Sequence, residues 1–114
     1  MDFKIEYHPT YVFIGVEEKL DNQVAPDLKS ELVSISDGDE KNIILDLSNC
    51  KDCNVSGLSI ILLANSLCQK LGGMFILTGL SSSVERMIKN SQLDSVLTIK
   101  KTVEEAIHLI EKKK

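Results

Sequence analysis

The chain has 114 residues, 43% of them hydrophobic and 26% charged, with a net charge of -4. That apolar content suffices for one domain over residues 1–114 that folds alone and buries roughly two thirds of the surface its unfolded form exposes. The acidic balance works against nonspecific attraction to nucleic-acid phosphates or anionic lipid, and no apolar run approaches the ~20 residues that span a bilayer, so neither a nucleic-acid partner nor membrane insertion is expected.

The start, Met1-Asp2-Phe3-Lys4, lacks a basic region followed by an apolar core, and three cysteines form an odd set in a chain with an ample core. Both features point to a reducing, cytoplasmic setting. Lys4 to Tyr7 and Tyr11 to Val16 read as two short strands paired as a hairpin through His8-Pro9-Thr10. Val24, Leu28, Leu32 and Ile35 then recur at helical spacing, with Asp21 or Asn22 as a cap and Pro26 tolerable in the first turn. Asp37-Gly38-Asp39 stops that helix. Asn42 to Leu47 is too uniformly apolar for a half-solvated strand, which places it in the sheet interior with both faces covered.

The next helix starts near Ser56 and stops at Gly72-Gly73, with Ile60, Ile61, Ala64, Leu67, Cys68 and Leu71 on its core face and Leu58, Leu62 and Leu63 outside it. Met74 to Thr78 is another apolar strand. Ser82-Ser83-Val84-Glu85 has the spacing of a capping box, opening a helix with Val84, Met87 and Ile88 inward. Leu97 to Ile99 reads as a last strand, and Thr102-Val103-Glu104-Glu105 opens a final helix carrying Val103, Ala106, Ile107 and Ile110 on one side. Lys112-Lys113-Lys114 is read as a solvated helix end that complements the helix dipole. The order ββαβαβαβα implies an α/β fold with a mixed sheet, its first strand antiparallel and its later strands parallel. The loops Glu17 to Asp21, Asn49 to Gly57 and Gly79 to Ser83 should meet at the carboxyl ends of the strands, where ligands and partners gather.

Several of these segments resemble one family: Leu20-Asp21, Asn42-Ile43-Ile44-Leu45-Asp46-Leu47-Ser48, Asn54-Val55-Ser56-Gly57-Leu58, Gly72-Gly73 and Glu104-Glu105-Ala106. Together, and in this order, they are similar to a STAS domain of the anti-sigma factor antagonist family. The central motif of that family is Asp-Ser-Ser-Gly-Leu, with its first serine phosphorylated by a kinase that doubles as an anti-sigma factor. Asn54 stands at the aspartate position, Val55 at the phosphorylated serine, and Ser56, Gly57 and Leu58 match the rest; Asp21 matches an acidic residue in the neighbouring loop. Valine has no hydroxyl, so the usual switch is expected to be absent.

The resemblance implies a STAS-like fold and a noncatalytic, cofactor-free regulator. Its partner would be an anti-sigma factor of histidine-kinase-like ATPase type, bound through Asp21, Asn54, Val55, Ser56, Gly57, Leu58 and Leu62. A regulatory subunit of an ABC transporter ATPase is the second binding function that it allows. Ser56 is either a capping hydroxyl or a displaced phosphoacceptor. Gly57 serves either close backbone approach or helix-to-sheet packing. Leu58 and Leu62, on the side that carries Asn65 and Gln69, either pack beneath a neighbouring helix or meet a partner. Asp21, Glu17 and Glu18 fit an acidic rim for a basic partner or a solvated loop equally well, and apolar residues on one helix face allow a homodimer.

One enzyme class competes. Cys50-Lys51-Asp52-Cys53 is a C-x-x-C sequence between a strand and a helix, where a helix N-terminus would lower the pKa of Cys53 and suit thiol-redox chemistry. Against it, Pro9 and Pro26 both lie upstream, where neither can face the cysteines as in thioredoxin-like sites. No second pair of ligands follows for zinc, so no metal is expected, and His8 and His108 read as surface residues. Hydrolase and nucleotide-binding motifs are missing.

Overall fold

A computed structural model describes residues 2–112. β1 (Phe3–Tyr7) and β2 (Val12–Val16) pair antiparallel, with Ile5 opposite Ile14. The turn between them is closed by a hydrogen bond from the His8 amide to the Tyr11 carbonyl, 2.9 Å, and by stacking of the two rings with centroids 4.6 Å apart. This is the expected hairpin. β4 (Ile43–Asp46), β6 (Phe75–Thr78) and β7 (Thr98–Lys100) then add in parallel, giving the sheet order β1-β2-β4-β6-β7. The remaining strands, β3 (Glu18–Leu20) and β5 (Cys50–Cys53), form a separate parallel pair. They lie in segments expected to be loops, and they lengthen the element order by two.

Four helices clothe the five-stranded sheet: α1 (Ala25–Ser36), α2 (Val55–Lys70), α3 (Ser82–Asn90) and α4 (Val103–Lys112). Successive side chains of a strand point to opposite faces, so β4 must satisfy two environments. Ile43 and Leu45 join the core built by Leu28, Leu32 and Ile35 of α1, Ile60, Ile61 and Ala64 of α2, and Val84 and Ile88 of α3. Ile44, with Ile76 of β6, is covered from the other side by Ala106 and Ile110 of α4. That double burial is why residues 42–47 carry no polar alternation.

Gly72 adopts φ +76° just past α2, a left-handed stop suited to glycine. Because α2 already ends at Lys70, Leu71 is exposed, while Leu67 is half-buried against the core; both were expected on the core face. Asn65 is buried, although it was placed beside the outward Leu62. Thr102 caps α4 by accepting a hydrogen bond from the Glu105 amide, 3.1 Å. α3 is capped one residue earlier than its capping-box spacing suggested: the Ser81 hydroxyl accepts from the Val84 amide, 3.3 Å. Among the described residues no helix is long and apolar enough to cross a membrane. Lys112 ends α4, and the expectation for Lys113 and Lys114 lies outside the described residues.

Candidate functional site at the start of helix α2

The site is built on the small β3–β5 sheet. Beyond β2 the chain turns at Glu18, whose φ of +61° and the 2.7 Å hydrogen bond from the Lys19 amide to the Glu17 carbonyl define a γ-turn. A non-glycine residue held in this region stores local strain, which persists only where surrounding contacts over-determine it. Here they do: the Glu18 amide donates to the Asn49 carbonyl, 2.9 Å, and the Asn54 amide donates to the Leu20 carbonyl, 3.3 Å. Glu18, Lys19 and Leu20 thereby lie opposite Cys50, Asp52 and Cys53, with a register shift after Glu18. Leu20, Cys50 and Cys53 point inward and are buried, whereas Lys19, Lys51 and Asp52 face solvent.

Asn54 ends this strand in extended geometry, φ -108° and ψ -169°, and begins the helix. Its side-chain oxygen accepts a hydrogen bond from the Gly57 amide, 3.2 Å, satisfying one of the free donors of the first turn. The cap is therefore Asn54. Ser56 sits inside the first turn, half-buried, and the capping role considered for its hydroxyl belongs to the residue two positions earlier.

Gly57 is buried directly beneath β3. A β-carbon there would collide with the Leu20 carbonyl oxygen and come within 2.8 Å of the Cys53 sulfur. Close approach of helix backbone to strand backbone, and with it tight packing, is the reason for glycine at this position. Val55 faces the opposite way and is 76% exposed, the most exposed of the large hydrophobic side chains at the described positions. Leu58 is half-buried against the core, and Leu62 one turn on is also half-buried.

Asp21 stands beside this corner but spends its carboxylate locally. One oxygen accepts from the amides of Gln23, 3.0 Å, and Val24, 3.3 Å, closing the turn before α1. The helix itself begins after Val24 with no side-chain cap, so the capping role expected of Asp21 or Asn22 is not taken up. Glu17, Glu18 and Asp21 line one shallow concavity together with Asp2 and Lys19. A polar network that the sequence reading passed over closes the neighbouring strand ends: the Thr78 hydroxyl donates to one oxygen of Asp46, 2.7 Å, and the Ser48 hydroxyl donates to the other. It ties the turn after β4 to the end of β6. The only signal in sequence was a hydroxyl residue and a carboxylate ending two apolar strands.

The Cys53 thiol departs from the lowered pKa expected beside a helix N-terminus. Burial pushes the Cys53 thiol up to about 12 and raises that of Cys50, with negative neighbours, Asp52 among them, adding to the rise. The Cys53 sulfur is buried under Gly57, and its hydrogen donates toward the Asn54 carbonyl, 3.5 Å. Thiolate character at neutral pH is consequently small, whereas redox catalysis depends on it. Among the described residues no group of three or more His, Cys, Asp or Glu side chains converges as metal ligands would.

A family model described as the STAS domain matches residues 2–106. The chain belongs to the STAS-domain family. Its fold is similar to that of an anti-sigma factor antagonist from Mycobacterium paratuberculosis, with a TM-score of 0.85 and 20% identity over 96% of this chain and 92% of that one. SpoIIAA, an anti-sigma factor antagonist of Bacillus, matches in its unphosphorylated form with a TM-score of 0.83 and 22% identity over 96% of each chain. A variant of RsbS from Moorella thermoacetica matches with a TM-score of 0.83 and 19% identity over 98% of this chain and 97% of that one. At such identities the likeness is one of fold. Within the STAS fold the first turn of α2 is the place where Asn54, Val55, Ser56, Gly57 and Leu58 stand.

Proposed function

We propose that this STAS domain is a noncatalytic regulatory protein of the cytoplasm that docks onto a protein partner through residues 54–62 with Asp21 alongside, in the manner of anti-sigma factor antagonists. The observation that carries this reading is Val55: an isopropyl group 76% exposed at the first position of α2, held there by the Asn54 cap on one side and the Gly57 contact on the other. An apolar side chain presented on rigid backbone suits an interface, since little freedom is lost when it is covered. It also lacks the hydroxyl that the family phosphorylates, so binding here is constitutive. The partner class supported by the family resemblance is an anti-sigma factor of histidine-kinase-like ATPase type.

The test uses such an ATPase, chosen from the neighbouring genes and purified, against the wild-type chain, Val55→Asp and Val55→Ser. Wild type should bind; Val55→Asp should bind about tenfold or more weakly, because a charge would be desolvated at the contact. With ATP, mass spectrometry should find phosphate on Val55→Ser and none on wild type. Unchanged binding by Val55→Asp would remove residues 54–62 as the docking site. Phosphate on Ser56 of the wild type would restore a switch and overturn the constitutive reading.

A further inference from the structure

The edge of the five-stranded sheet formed by β1 is a second surface. β1 is the terminal strand of the order β1-β2-β4-β6-β7, so one of its edges pairs with β2 and the other is open among the described residues. The direction of each backbone group follows from the hairpin bonds: the His8 amide donates to Tyr11 and the Glu17 amide to Asp2. In an antiparallel ladder the groups that face the partner alternate, so Asp2, Lys4, Glu6 and His8 turn their amides and carbonyls toward β2. Phe3, Ile5 and Tyr7 turn theirs outward. Three donors and three acceptors therefore line an open edge, a template for another strand.

The side chains along this edge are self-complementary in one register only. Lys4 and Glu6 are exposed on one face, while Phe3, Ile5 and Tyr7 occupy the other, Tyr7 being 58% exposed. In an antiparallel pairing of two copies centred on Ile5, Ile5 meets the partner's Ile5 and Phe3 meets the partner's Tyr7. All six outward groups of each copy then find bonds. Lys4 falls opposite the partner's Glu6, and Glu6 opposite the partner's Lys4, at the non-hydrogen-bonded positions where side chains lie closest. Glu6 already accepts from His8 of its own chain at 3.1 Å, and the Lys4 ammonium lies 5.8 Å from the Phe13 ring centroid, so both charges are held near the strand. Shifting the centre to Lys4 sets lysine against lysine, and shifting it to Glu6 sets glutamate against glutamate. The two neighbouring registers are disfavoured by like charges.

We infer that β1 is a self-association edge: two copies of this chain join antiparallel through Phe3–Tyr7, centred on Ile5, into one continuous ten-stranded sheet. An interface of this kind is small, so the dimer is reversible and forms at high protein concentration. Its residues, Phe3–Tyr7, are not those of the α2 corner, residues 54–62, and its test does not depend on partner docking.

Sedimentation velocity over a concentration series reaching ~1 mM reads the association. Wild type should shift from monomer toward dimer. Lys4→Glu and Glu6→Lys should each weaken association about tenfold, because each replaces two attractive cross-strand pairs by two repulsive ones. Mixing these two variants should restore dimers, since Glu then opposes Lys at every pair. Ile5→Pro should abolish association while circular dichroism stays native, because the amide it deletes faces the open edge and β2 does not use it. A wild type that stays monomeric throughout overturns the inference. So does a dimer that either charge reversal leaves as strong as before, or one that survives in folded Ile5→Pro.

Discussion

Two neighbouring parallel strands hand over to helices at the same end of the sheet, and they do so differently. After β6 the chain passes through Gly79, Leu80 and Ser81 and starts α3 at once; after β4 it detours from Leu47 to Asn54 through β5 before starting α2. The caps are alike, Ser81 and Asn54 each accepting from the amide three residues on. The third helical positions are not. In α3 it is Val84, a buried side chain that fills the core; in α2 it is Gly57, where the β3 backbone leaves no room for a β-carbon. The first positions differ again, an exposed serine at 82 and an exposed valine at 55. α1, α3 and α4 carry acidic residues in the first turn, favourable to the helix dipole, whereas α2 carries none. The direct junction is arranged for stability, and the detoured one presents an apolar corner at some cost to it.

The contrast is broken most strongly at Leu20, the buried residue on which the detour rests. Leu20→Ala should lower unfolding free energy by about 3 kcal/mol, as for other fully buried leucines, whereas Leu80→Ala at the half-buried direct junction should lower it by roughly 1 kcal/mol. Urea denaturation of both variants checks this; equal losses would mean that β3 contributes no special support. Gly57→Ala comes next. The clash with the Leu20 carbonyl should cost about 2 kcal/mol net, outweighing the gain of alanine over glycine in a helix. A stabilised Gly57→Ala would show that β3 yields easily and does not fix the corner.

Removing the caps asks whether the two junctions differ in their hydrogen bonds as well as in their packing. Asn54→Ala and Ser81→Ala should each cost about 1 kcal/mol in the same measurement. Matched losses locate the difference in what surrounds the caps. A clearly greater loss at Asn54 would assign part of the corner's rigidity to the cap itself.

The main sheet and its helices were legible because their burial follows simple periods: Val24, Leu28, Leu32 and Ile35 are all buried, as helical spacing required, and Ile43, Ile44 and Leu45 of β4 are buried on both faces, as that apolar run required. β3 and β5 were not legible, for a physical reason. Cys50-Lys51-Asp52-Cys53 is buried at its two ends and exposed in the middle, a pattern without the two-residue period of a strand, and Glu18-Lys19-Leu20 bends through a γ-turn. Each is a strand only because the other is there. The site motif was readable as a helix start, but Asn54 and Ser56 are equally good caps by residue type, as are Ser81 and Ser82. Choosing between them depends on where the preceding chain stops being extended. The Cys53 pKa is not legible at the same point: proximity to a helix start in sequence says nothing about Cys53 being covered by Gly57.

The smallest stability effect is the one that separates the two junctions by purpose. Val55 makes little packing contact, so replacing it should move stability by no more than about 0.5 kcal/mol, and Val55→Asp should move it upward, since α2 alone lacks an acid in its first turn. Ser82→Asp, in a helix that already has Glu85, should gain less from the same change. If the corner exists to be covered by a partner, Val55→Asp combines a slightly firmer fold with weaker binding, two effects of opposite sign from one side chain. A residue kept for folding would lose both together, and a residue with no role would lose neither. Urea midpoints and binding measured on the same preparations therefore distinguish a docking residue from a structural one.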